Sequence, residues 1–154
     1  MHRARAVASA WALLAAVAIL PAEAQDTFTA PLEWVPIGGA ERSDVAGEGA
    51  TTAKLSGSRL SITGSFAGLP APAIAAKLHE GISKGARGRD PAVIADLSVN
   101  GGASGTISGD VQLTMEQVEA LKAGRLYVQI YSEKGVLPDH ATLWGWLASE
   151  GLHR

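Results

Sequence analysis

Apolar residues in this chain recur mostly at every second position, in short runs that glycine or proline breaks off. A strand presents alternate side chains to opposite faces, so a period of two marks half-buried strands. In the run 58–66, Leu60, Ile62 and Phe66 share one face, and Gly64 between them marks a bulge or a close backbone approach. Seven further runs carry the same signal: 32–37, 49–55, 74–79, 92–99, 105–113, 126–132 and 142–148. Turn chemistry separates them, as at Leu69-Pro70-Ala71-Pro72 and Asn100-Gly101-Gly102. Eight strands at this spacing predict an all-β fold of two packed antiparallel sheets, a β-sandwich.

One stretch leaves that period. At 114–124, Thr114 is placed to cap a helix, Gln117 to reach back to it, Val118 and Leu121 share a face, and Gly124 is a stop. These are the marks of one short α-helix with a capping box, which plugs an end of the sandwich and carries no chemistry. Residues 38–49 are charged and glycine-rich and predict a mobile loop.

The N-terminus reads differently. His2, Arg3 and Arg5 precede an uncharged stretch at 6–20, and Ala22-Glu23-Ala24 supplies an A-x-A pattern. That order predicts a secretory signal peptide over 1–24, cleaved after Ala24, and a single domain over 25–154 working in a periplasm or outside the cell. The apolar stretch is shorter than the roughly twenty residues a helix needs to cross a bilayer, so no membrane anchor is expected. With no cysteine in the chain, an oxidising compartment offers it no staple, and stability must come from a core. Once Arg3, Arg5 and Glu23 leave with the signal, 11 basic residues face 14 acidic ones, interspersed, which excludes a nucleic-acid stripe. The basic cluster Lys84, Arg87 and Arg89 is interleaved with Gly85 and Gly88 and reads as a solvated turn.

Candidates for chemistry are few. His153 sits in a terminal tail and His140 in the loop 136–141, and the serine-glycine pairs at Ser56, Ser104 and Ser108 read as strand-edge or turn residues. His79 is best placed: with Ile74, Ala76 and Leu78 on one strand face, Ala75, Lys77 and His79 take the other. Tyr127, Gln129 and Tyr131 alternate in the same way against Leu126, Val128 and Ile130. If these strands are neighbours, Lys77, His79, Gln129 and Tyr131 line one polar patch. A zinc or copper site wants three or four converging ligands, and here the only metal alternative is His79 joined by His140 from its loop. In Leu143-Trp144-Gly145-Trp146-Leu147 two tryptophans share a strand face. Either that strand is buried on both sides, or Trp144 and Trp146 form an aromatic surface for a ligand or partner.

These pieces, in this order, resemble the CHRD domain, a module named for its repeats in chordin and found in exported bacterial proteins. The resemblance runs from Leu60 to Leu147 through Phe66-Ala67-Gly68-Leu69, Ala75-Ala76-Lys77-Leu78-His79, the glycine-rich turn at 85–88, Leu113-Thr114 with Gln117 and Leu121, the run 124–130, and the Leu-Trp-Gly-Trp-Leu ending, which is similar to a bacterial branch. It implies a Greek-key β-sandwich of the superoxide dismutase or immunoglobulin kind. Relatives often carry a His-x-His pair where this chain has Lys77-Leu78-His79, a histidine where it has Tyr131, and Gly-Glu-Ile-Arg-Gly where it has Thr142-Leu143-Trp144-Gly145. Two of three histidine positions are thus filled by Lys77 and Tyr131. The resemblance implies binding outside the cell rather than catalysis, with no cofactor, and a periplasmic partner protein such as a quinoprotein dehydrogenase. The expected ligand or partner surface comprises Trp144, Trp146, Lys77, His79 and Tyr131.

Overall fold

The computed structural model describes residues 25–150, so the expected signal peptide and His153 lie outside the described residues. Nine strands and one helix follow in the order β1 (Asp26–Trp34), β2 (Glu48–Ser56), β3 (Arg59–Ala67), β4 (Ala73–Glu80), β5 (Ala92–Gly101), β6 (Gly105–Gln112), α1 (Met115–Lys122), β7 (Leu126–Val136), β8 (Ala141–Trp146) and the two-residue β9 (Ala148–Ser149). All pairings are antiparallel, and the order β2-β3-β6-β5-β4-β7-β8-β1 returns to its start because β1 also pairs with β2. The expected all-β, antiparallel architecture with one short helix is therefore present, but as a closed eight-stranded barrel rather than two facing sheets.

Two strands make the closure by changing neighbours along their length. β5 pairs with β4 through Ala92–Leu97 and with β6 from Ser98 onward. β1 pairs with β2 up to Leu32 and with β8 through Glu33 and Trp34. Strands that switch partners form the corners at which a layered sheet turns back on itself, and the closed ladder leaves no long edge to solvent. Alternation in sequence assigns faces to each strand and is silent on such switching.

The inward faces form one core, with Leu32, Ile62, Leu78, Val128, Ile130 and Leu143 among its fully buried members. The helix closes one end: Ala120 and Leu121 are fully buried, and Val118 packs partly buried beside them. The expected capping box is present, with Gln117 N–H donating to Thr114 Oγ1 at 3.2 Å and Thr114 N–H donating to Gln117 Oε1 at 2.9 Å. Gly124 ends the helix at a φ of 72°. Gly64 takes part in an unbroken β2–β3 register opposite Thr51, and a Cβ there would fall 2.7 Å from the Ala50 carbonyl. It marks a close approach, not a bulge.

Two expectations are corrected. β1 begins at Asp26, six residues before the expected start, with Phe28, Ala30 and Leu32 inward; Pro31 suggests a break in sequence, yet it sits in register opposite Ala50. The strand stops at Trp34, ahead of Pro36. Ile74 does not join Ala76 and Leu78 in the core: a register shift between Ala73 and Ala75 turns it outward, where it is 56 % exposed.

Candidate functional site

The wall formed by β4, β7 and β8 carries the notable side chains on its outer face. Along β7 the period of two sends Leu126, Val128 and Ile130 into the core and Tyr127, Gln129 and Tyr131 outward. An outward face ordinarily meets water, yet Tyr127 and Gln129 are fully buried and Tyr131 is 7 % exposed. Neighbouring strands supply the cover. β4 is indeed adjacent to β7, setting Lys77 opposite Gln129 and His79 opposite Tyr127, while β8 sets Trp144 opposite Gln129 and Trp146 opposite Tyr127.

The result is a continuous aromatic layer. His79 stacks on Tyr127 with centroids 5.1 Å apart and planes 12° apart, and Tyr127 meets Trp146 at 4.5 Å and the edge of Trp144 at 5.9 Å. The two tryptophans meet edge to face at 5.5 Å, a geometry that favours aromatic quadrupoles. Gly81 lies against the six-membered ring of Trp146, where a Cβ would come within 2.6 Å. Trp144 and Trp146 are thus half-buried, between the two alternatives open in sequence.

His79 sits where this layer gives way to an open cavity. The cavity has a volume of about 610 Å³, and Lys77, His79 and Tyr131 line it together with Ile74, Val93, Arg87, Arg89, Asp90 and Asp139. Bulges re-aim strand side chains, and one on each side shapes this site. The shift at Ala73 and Ala75 delivers Ile74, and a second shift between Leu78 and His79 sets His79 opposite Val93 and turns Val93 outward, 52 % exposed. Trp144 and Trp146 do not line the cavity; they back Tyr127 behind it.

At the floor His79 Nε2 and Tyr131 Oη are 2.7 Å apart in a buried hydrogen bond. Burial first, and the Lys77 ammonium second, push the His79 imidazole below its ordinary range, against an upward pull from the backbone of Ala92 and Pro91 and from Asp139. Burial also pushes the Tyr127 and Tyr131 phenols up to about 12. Near neutral pH the floor is therefore an uncharged imidazole beside the protonated Tyr131 phenol, with the protonated Tyr127 behind it. Lys77 is held by Asp96 at 3.1 Å on the adjacent strand. On this wall Tyr127 Oη, Gln129 Oε1 and Trp146 Nε1 are buried without a hydrogen-bond partner in the protein.

The CHRD domain family matches residues 28–135, from β1 to the end of β7. The chain belongs to the CHRD domain family. No curated protein and no solved structure matches it. The match takes in Lys77, His79 and Tyr131 and stops before β8, so Trp144 and Trp146 lie beyond it, although the resemblance drawn from sequence extended to Leu147.

Among the described residues no group of three or more His, Asp or Glu side chains converges. His140, in the turn before β8 with a φ of 62°, does not line the cavity with His79. A lysine ammonium and a phenol that stays protonated to about 12 stand beside His79 where copper or zinc would need donors.

Sequence reasoning placed Lys77, His79 and Tyr131 together and missed Arg87 and Arg89. Their turn reads as solvated from its glycines, but Gly85 and Gly88, both at a φ of 79°, and a bridge between Ser83 and Ala86 fold it back so that both arginines line the cavity. The only signal in sequence is that the basic turn directly follows the strand bearing His79.

Proposed function

We propose that this CHRD-domain protein is an exported, non-enzymatic binding or accessory module whose ligand or partner seats in the cavity over His79 and Tyr131. The observation that carries this reading is a histidine only 4 % exposed, hydrogen-bonded to Tyr131 and lining an open cavity of about 610 Å³. Cavities of a few hundred Å³ with a few convergent polar groups suit small molecules or an inserted side chain. The non-enzymatic part of the reading rests on the CHRD resemblance, which implies binding outside the cell rather than catalysis. Export rests on the residues before Gln25, and a periplasmic partner such as a quinoprotein dehydrogenase remains the expected class of protein companion.

The test is an NMR screen of small metabolites against the isotope-labelled protein. Shifts confined to Lys77, His79, Tyr131 and the turn bearing Arg87 are expected, with every compound recovered unchanged. Shifts confined to another face, or conversion of any compound, would overturn the reading.

A further inference from the structure

We propose that the cavity takes a small amphiphilic organic anion, its carboxylate or phosphate held by Arg87 and Arg89 and its apolar body resting on Ile74 and Val93. The inference rests on the reading of this cavity as the binding site and names the ligand class.

Charge points first. Lys77, Arg87 and Arg89 bring three cations to the lining against Asp90 and Asp139. Among the described residues neither arginine has an ion pair, whereas Lys77 already has Asp96. The Asp139 carboxylate is partly engaged, accepting the Ala141 N–H at 3.4 Å. A guanidinium offers a planar fork that matches carboxylate or phosphate oxygens in a bidentate way, and two of them over one cavity form a natural anion clamp.

Apolar exposure gathers at the same mouth. Of the large hydrophobic side chains exposed among the described residues, Ile74 and Val93 line the cavity, Leu137 adjoins the lining residue Pro138, and Ile82 belongs to the turn that carries Arg87. Exposed apolar residues collected around a concavity mark a binding surface, while single scattered ones do not. Both features together select an amphiphile. A sugar or nucleotide base would want an open aromatic face to stack on, but Tyr131 is 7 % exposed and Trp144 and Trp146 are outside the lining. A cation would face three like charges.

Calorimetry and NMR with octanoate, octyl phosphate, octylammonium and octanol, on protein purified after expression of the full chain, test this directly. Octanoate or octyl phosphate should bind and shift His79 and Val93, with octylammonium and octanol weaker by about tenfold or more. The double variant Arg87→Gln/Arg89→Gln should lose about tenfold in affinity for the anions with its thermal midpoint unchanged, since no ion pair is broken. The Val93→Ser variant should weaken octanoate while leaving short acetate no better or worse. If octylammonium or octanol binds as well as octanoate, or if the arginine variant binds octanoate undiminished, the anion class is wrong and the cavity reading survives. If no probe moves any cavity residue, the amphiphilic anion is wrong, and the metabolite screen decides the cavity reading separately. Binding to vesicles containing phosphatidic acid, with free octyl phosphate inert, would transfer the anion site to a lipid surface and overturn a small free ligand.

Discussion

At the scale of single residues, the outer wall stores a pH dependence. The folded protein disfavours the His79 cation through burial and Lys77, so its folded pKa lies below the ordinary value of 6.5. As pH falls, the unfolded chain takes up this proton first, and stability is lost wherever the unfolded state binds more protons. The His79 contribution is thus complete above about pH 6.5 and disappears as pH drops through the folded value. The tyrosines have the opposite sign. Tyr127 and Tyr131 titrate at about 12 in the fold against 10.0 when free, so their contribution holds below pH 10 and fades as pH climbs through 12. Thermal midpoints across pH should therefore form a plateau from about 7 to about 10 that slopes away on both sides. His79→Phe should flatten the slope between about pH 5 and 7, where carboxylates contribute little, and leave the alkaline slope in place. An unchanged acid slope in that variant would remove His79 from the account.

At the scale of elements, the helix is the most self-contained unit. Thr114 and Gln117 satisfy one another's backbone donors, and the helix they start seals Leu121 into the barrel end. Replacing Thr114 with alanine leaves one of the first-turn N–H groups without its acceptor, and loss of such a cap costs about 1 kcal/mol. A denaturant titration should show that loss with an unchanged slope, and Thr114→Ser should recover most of it. This element was fully legible in sequence because capping chemistry is local. β7 was legible for the same reason, since Leu126, Val128 and Ile130 alternate without interruption. Ile74 was not: whether an extra residue bulges depends on the partner strand, and β4 read alone keeps a perfect alternation that its pairing with β7 breaks. The candidate site divides along that line. Lys77, His79 and Tyr131 follow from period and adjacency, whereas Arg87 and Arg89 reach the cavity by a turn whose landing place no local rule gives.

At the scale of the whole molecule, closure depends on β1, which pairs with β2 on one side and β8 on the other. Leu32 sits at that seam, and a glycine faces it from each flank. A Cβ on Gly49 would fall 3.0 Å from Leu32 Cδ1 and press on the Ser65 carbonyl; a Cβ on Gly145 would fall 2.9 Å from Leu32 Cδ2 and 2.6 Å from the Pro31 carbonyl. This also explains the glycine between Trp144 and Trp146: its neighbours point outward while its own inward position must stay empty for Leu32. Neither glycine has a positive φ, so the requirement is space rather than backbone conformation. Overpacking of a tight interior typically costs about 1–3 kcal/mol, and here the obstructing atoms include backbone that cannot swing aside. Gly145→Ala and Gly49→Ala should each destabilise by about that amount, whereas Gly102→Ala, where a Cβ meets nothing within 4 Å, should change stability by roughly 0.5 kcal/mol or less. Hydrogen exchange separates seam opening from general loosening. In the two seam variants the amides of β1 should lose protection more than those of β5, on the far side of the ring; uniform loss across all strands would mean that the barrel opens as one unit and has no weak seam at β1.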